Sequence, residues 1–124
     1  MRIIKHDLGA EIETVNIIPL ADTHLGSAHC IEKEIKKVID KVLQSDNTYV
    51  VLNGDLINNA IKTSVSDIYE EKLNPEQAIK RLVKLFTPIK HKILSCVLGN
   101  HESRTYRIAG IDILLNFCYR LGIE

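Results

Sequence analysis

The sequence has no tryptophan, only two phenylalanines and only four tyrosines. So few aromatic rings cannot build the stacking ladder that commonly holds single-stranded nucleic acid, and no basic run marks a groove that would track phosphates. Neither sign of charge is in excess, since sixteen Lys and Arg balance sixteen Asp and Glu. The chain as a whole therefore has no net field for nucleic acid, membrane surface or acidic substrate, although a local patch is not excluded. Cysteine is sparse: Cys30, Cys96 and Cys118 lie far apart, and none is in a Cys-x-x-Cys pair. That argues against a disulfide framework and a cysteine zinc site, and reads as small buried hydrophobes in a reducing compartment. No apolar run approaches the roughly 18 residues of a membrane-crossing helix. The opening residues, with Arg2 and Lys5 soon followed by Asp7, Glu11 and Glu13, do not make a signal peptide. The expectation is a cytoplasmic protein with no membrane partner.

What is present is the material of one globular core. Of 124 residues, 45% are hydrophobic and 26% charged, enough for one domain and not for two. No repeat or linker interrupts it. Arg2 to Lys5 and Glu11 to Leu20 are rich in Ile and Val around Leu8-Gly9-Ala10, which predicts an N-terminal hairpin. Ile31, Ile35, Val38, Ile39 and Val42 recur at helical spacing, predicting a helix over 31–43. Thr48 to Leu52 is a short apolar run, as in a strand covered on both faces. Asn74-Pro75 is a helix start, and the apolar face of Ala78, Ile79, Leu82, Val83 and Phe86 carries that helix to Thr87-Pro88. Lys92 to Leu98 predicts another strand, and Gly110 to Leu121 a final helix. Strands alternating with helices predict the α/β class, with a mostly parallel sheet and flanking helices.

The chemistry-bearing residues stand where these strands end. The first strand gives way to Asp22-Thr23-His24, the second to Asn53-Gly54-Asp55, and the third to Gly99-Asn100-His101-Glu102. Asp22, Asp55 and Asn100 are separated by 33 and 45 residues, yet parallel strands bring their carboxyl ends to one edge, where open α/β sheets hold their ligands. The residue types suit divalent cations: aspartate offers hard oxygen, imidazole suits zinc, iron, nickel and manganese, and an asparagine carbonyl is a neutral ligand. Asp55, with two carboxylate oxygens, could bridge a pair of ions. His101, beside a ligand, could act as general acid or charge stabiliser. The glycines before Asp55 and Asn100 would let backbone come close. Each motif alone reads as a turn or helix cap; together, each at a strand end, they point to a metal site.

Asp22-x-His24, Gly54-Asp55 and Gly99-Asn100-His101-Glu102 resemble the first three motifs of the calcineurin-like metallophosphoesterase superfamily. The resemblance runs from about Thr14 to Glu102. It implies a sandwich of two β-sheets flanked by helices, two divalent metal ions (manganese, zinc, iron or nickel), and hydrolysis of a phosphoester, whether small molecule or nucleic acid. By similarity, Asp22 and His24 would bind the first ion, Asp55 would bridge, Asn100 would bind the second, and His101 would be the catalytic histidine. The superfamily's later motifs, an isolated His and a Gly-His-x-His, are missing, and no histidine follows His101. Residues 1–124 are therefore expected to be the N-terminal portion of one metallophosphoesterase domain, the first half of its sandwich. Such a portion should bind metal weakly, catalyse poorly and associate with itself through an uncovered face. A non-catalytic fragment and an α/β interaction module are the rival readings.

Other polar residues near the motifs carry less specific signals. Arg104 suits bidentate phosphate contact, though a surface charge beside a helix reads equally well. Asn58 and Asn59 could meet substrate oxygens, although asparagine is ordinary in loops. The long stretch from Asn58 to Asn74 is a candidate cover for the site. Pro19 is unexpected in a central strand and suggests a bulge before Asp22.

Overall fold

The computed structural model of the chain describes residues 3–61 and 71–123. In chain order it contains β1 (Asn16–Leu20), α1 (Glu32–Gln44), β2 (Thr48–Leu52), α2 (Pro75–Phe86), a 3-10 helix (Thr87–Lys92), β3 (Ile93–Cys96), α3 (Asn100–Ala109) and α4 (Ile113–Leu121). β2 is the middle strand and pairs in parallel with β1 and with β3. This is the α/β arrangement that the alternating pattern predicts. The proposed cover, 58–74, falls largely on residues 62–70, outside the described residues.

Local chemistry explains the helix boundaries. The Asn74 side chain accepts from the Gln77 amide at 2.9 Å, and the Gln77 side chain accepts from the Asn74 amide at 3.0 Å. This reciprocal cap, with Pro75 already set for a helix, starts α2. At the far end of α1, the Lys92 ammonium donates to the carbonyls of Val42, at 3.0 Å, and Ser45. The Val42 carbonyl also accepts from the Ser45 amide, at 3.4 Å, so lysine and cap residue together close the last turn.

The core follows from β2. Thr48, Val50 and Leu52 are buried, and Tyr49 and Val51 between them are only partly so. The buried face belongs to one cluster with Ile35, Ile39 and Val42 of α1, Leu82 and Phe86 of α2, and Phe117 and Leu121 of α4. Phe86 and Phe117 meet edge to face at 6.2 Å. On the other face, Ile17 lies beside Tyr49 and Pro19 beside Val51, and Ile17 is 55% exposed. Among the described residues, helices cover one face of the sheet, and the other leaves Ile17 and Pro19 exposed. No described helix is long and apolar enough to cross a membrane.

Several local expectations are corrected. Among the described residues no strand precedes Asn16, so the hairpin does not form. Gly9 does turn the chain, at φ +91°, but Ile3 and Ile4 beyond it remain exposed, and an isolated two-stranded hairpin without a core is marginal in water. Ile31 precedes α1 and is exposed instead of joining its apolar face. β3 is shorter than 92–98 because Lys92 belongs to the 3-10 helix. The final helix starts at Ile113 instead of Gly110, and an unexpected helix precedes it: Gly110, at φ +68°, ends α3, as left-handed glycines commonly end helices. Asp112 then caps α4 by accepting from the Leu115 amide at 2.9 Å. Pro19 makes no bulge, because β1 and β2 run in register throughout. The Asn16 amide donates to Asn47, and the Leu20 carbonyl accepts from Asn53. These even-numbered residues face β2, so the missing N–H of Pro19 points to the outer edge and breaks no ladder bond. The register shift lies instead in the β2–β3 pair, between Val50 and Val51.

Candidate metal centre

Beyond Leu20 and Leu52 the chain stops being regular strand but stays paired. The amides of Asp22, His24 and Leu25 donate to the carbonyls of Gly54, Asp55 and Leu56 at 3.2, 3.1 and 2.9 Å, and Asn58 returns a bond to Leu25 at 3.0 Å. The Thr23 hydroxyl adds a bond to the Leu56 carbonyl at 2.6 Å. This zipper holds four non-glycine residues at positive φ: Asp22 (54°), His24 (43°), Asp55 (51°) and Asn59 (48°). Each costs on the order of 1–3 kcal/mol and persists only where its surroundings enforce it. Such backbone is concentrated at functional sites, and here it coincides with three of the motif residues.

The third motif docks onto the second through two glycines. A Cβ on Gly54 would stand 2.6 Å from the Gly99 Cα, and one on Gly99 would stand 2.2 Å from the Asp55 amide nitrogen. Only glycine allows that approach. The Asp55 carboxylate then meets the N-terminus of α3, accepting from the His101 amide at 2.9 Å through Oδ1. A helix N-terminus favours an anion there. Glu102, only 2% exposed, binds the motifs together. Its Oε2 accepts from the amides of Asp55 (3.0 Å) and Gly99 (3.1 Å), and its Oε1 from Ile57 (3.0 Å).

These supports bring His24, Asp55 and His101 together, one from each strand end. Each offers a ligand atom, and all three atoms lie within 4.8 Å of one another. The two imidazole rings meet edge to face at 4.3 Å. Asp22 lies at the rim, its side chain 73% exposed and its Oδ1 3.7 Å from His24 Nε2. Asn100 lies against Asp55: with its amide nitrogen turned inward, it donates to Oδ2 at 2.6 Å and Oδ1 at 3.1 Å.

The hydrogen bonds around His101 define its tautomer. Nδ1 is 2.6 Å from the Asn58 carbonyl, which can only accept, so Nδ1 carries the proton. Nε2 is 3.1 Å from Arg104 Nη2, which can only donate, so Nε2 presents its lone pair to it. Arg104 Nη1 also reaches the Asn58 carbonyl, at 3.4 Å. The Asn58 amide turns away to Glu71 Oε2, at 2.9 Å. Asn59 is buried and donates to the His101 carbonyl and to Thr105, at 2.6 and 3.0 Å, which fastens α3 to the loop. Its side chain is a structural strut.

Two imidazoles, a carboxylate gathered beside them, and a second carboxylate at the rim form a donor set suited to divalent transition metals. The Asn58 carbonyl orients one imidazole as carbonyls orient metal-bound histidines. The residues fit an ion. A family model described as calcineurin-like phosphoesterase matches residues 15–121. The chain belongs to the calcineurin-like phosphoesterase family. No curated protein and no solved structure matches it. The family match extends past Glu102 through α3 and α4, so the two C-terminal helices belong to the family region as well.

The sequence named Glu102 as part of the third motif and Asn59 as a candidate substrate contact, but it did not reveal that both are structural supports of this site. For Glu102 a signal existed: a Glu three residues after a helix-starting Gly is the second half of a capping box. For Asn59 there was none beyond its residue type. The cysteines are free thiols: Cys118 is buried, and Cys30 and Cys96 are partly so. Hydrogen bonding to the Cys118 thiol, with burial, pushes the Cys96 thiol up, and burial raises Cys30.

Proposed function

We propose that this chain is a metal-dependent phosphoester hydrolase whose site is built from Asp22, His24, Asp55, Asn100 and His101. The observation that carries the reading is the convergence of His24, Asp55 and His101 from three separate strand ends, in a member of the calcineurin-like phosphoesterase family. Asp22 and His24 would hold one ion, and Asp55 with Asn100, its amide oxygen turned inward, would hold a second. Manganese, zinc, iron and nickel suit these donors. When bound, the ions supply Lewis-acid polarisation of the phosphoryl group and make water a better nucleophile. The protein's own part is to locate and orient. The Asn58 carbonyl orients the His101 ring and the α3 N-terminus orients the Asp55 carboxylate. His101 would contact the phosphoryl or leaving oxygen as the imidazolium, which donates from both ring nitrogens. The substrate is a phosphoester, small molecule or nucleic acid, met in the cytoplasm. The open sheet face around Ile17 and Pro19 supports self-association as a homo-oligomer.

The rival reading is a non-catalytic module of the same fold. It is favoured by one observation: among the described residues the ligand group is His24, Asp55 and His101, few strong donors for two ions. Steady-state hydrolysis of p-nitrophenyl phosphate and bis(p-nitrophenyl) phosphate, with each metal supplied in turn, separates the readings. The hydrolase reading expects slow but measurable turnover. It expects His101→Ala to lower kcat with metal content nearly intact. Absence of turnover with every metal, in a chain shown to bind them, favours the module.

A further inference from the structure

We infer that Glu71 is a positioning residue for His101, acting through Asn58 and the strained turn at Asn59; its part in turnover rests on the phosphoester reading above. Glu71 belongs to none of the three motifs. Its Oε2 accepts from the Asn58 side-chain amide at 2.9 Å and from the Ala60 backbone amide at 2.8 Å. These two bonds grip the chain on either side of Asn59, which stands at φ +48°. The Asn58 carbonyl, on the same stretch, meets His101 Nδ1 at 2.6 Å. One carboxylate oxygen therefore holds the residue whose carbonyl aims the imidazole.

The segment around Glu71 also reaches the first motif. The Lys72 amide donates to the Gly26 carbonyl at 2.8 Å, which lays residues 71–72 against the loop that carries His24. A Cβ on Gly26 would stand 2.4 Å from Glu71 Oε1, so the glycine leaves the carboxylate its place. Oε1 is buried without a hydrogen-bond partner among the described residues, and Oε2 alone ties the turn. The backbone zipper ends with the Asn58 amide on Leu25; past it, the Ala60 amide is held by Glu71. A non-glycine residue at positive φ keeps that conformation only where its surroundings enforce it. Without Glu71 the turn relaxes, the Asn58 carbonyl swings, and the His101 ring loses its setting against the His24 ring, 4.3 Å away and edge to face.

Nuclear Overhauser spectra of the whole 124-residue chain, without metal, test this, because two rings in such contact give a cross-peak between their protons. The wild type should show it. Glu71→Ala, which removes both bonds, should lose it in protein that thermal melts show to be folded. Glu71→Gln should keep it, since one amide oxygen can accept both bonds and its nitrogen takes the place of the partnerless Oε1. A merely structural role would lower the melting temperature and leave the cross-peak in place. Should Glu71→Ala not fold, Glu71→Asp decides: its carboxylate stops one methylene short of Asn58 and Ala60 and must weaken the peak. With Mn2+ and p-nitrophenyl phosphate, Glu71→Ala should lower kcat about 10-fold to 100-fold, the scale of a small misplacement, with Mn2+ affinity unchanged. No cross-peak in the wild type, an undiminished one in folded Glu71→Ala or Glu71→Asp, equal loss in Glu71→Gln, or an unchanged kcat would overturn the role of Glu71. A wild type that binds Mn2+ and turns nothing over contradicts the phosphoester reading instead, and the cross-peak still decides whether Glu71 places His101.

Discussion

The helix-covered face of the sheet and the loops at its carboxyl edge are held together by different forces. Behind β2, the cluster of Val50, Leu52, Leu82, Phe86 and Phe117 is apolar burial with regular backbone. At the edge, the order comes from backbone hydrogen bonds across two loops, four non-glycine residues at positive φ, and one buried carboxylate. Burial is non-directional and tolerates exchange of similar shapes. A hydrogen-bonded, strained loop does not, because each missing partner leaves a buried donor unsatisfied. The core should therefore govern whether the chain folds, and the edge whether the folded chain binds metal.

The largest stability effect should come from the core. Phe86→Ala removes a ring that is 1% exposed and should cost about 3–5 kcal/mol in denaturant unfolding. The fraction that remains folded should keep wild-type metal affinity. A drop in affinity would show that core and site are not separable. Glu102→Gln should behave the other way. Two of its three amide bonds share Oε2, and an amide side chain cannot supply two strong acceptors while also donating. The expected cost is about 1–3 kcal/mol, with metal uptake falling far more than the lost stability explains. Metal uptake that tracks stability alone would remove the distinction between the two regions.

The smallest effect lies away from both. Arg81 of α2 reaches Glu32 of α1 with two hydrogen bonds, at 3.0 and 2.5 Å. It holds the Glu32 carboxyl at about 2, against an ordinary 4.5. A group whose folded pKa lies below its unfolded one stabilises the fold above the unfolded value. That contribution is lost as the pH falls through the folded value, here between about 4.5 and about 2. Glu32→Gln should flatten the acid limb of the melting curve in that window. At neutral pH it should cost under about 1 kcal/mol, because the pair is solvent-screened. An unchanged acid limb would mean that the pair does not persist in solution.

The same contrast decides what could be read from the sequence. Thr48–Leu52 and Pro75–Phe86 were legible because their signals are local: a short apolar run, and an Asn-Pro cap before a periodic face. The candidate metal residues were legible because ion chemistry restricts the residue types, and parallel strands bring distant ends together. What escaped depends on distant partners. Glu102 receives its bonds from amides 45 and 47 residues away, and Asn59 fastens a helix that begins 41 residues later. The expected hairpin failed for the converse reason. Its Ile and Val pattern is local, but no core lies beneath it. The third motif also starts α3, a helix that lies before the expected closing helix of Gly110 to Leu121 and was not anticipated.

The central claim is that Asp55 joins the three strand ends into one metal centre. Isothermal titration of Mn2+ and Zn2+ into the wild type and Asp55→Asn tests it most directly, with circular dichroism to confirm that both are folded. The asparagine keeps the shape and an acceptor for the His101 amide, but it loses the charge and the bridging capacity of a carboxylate. The account predicts weak, saturable binding by the wild type and a loss of about 10-fold or more in Asp55→Asn, the scale of a strong charged contact. Equal affinity in the two folded proteins, or no binding by the wild type at all, would contradict it.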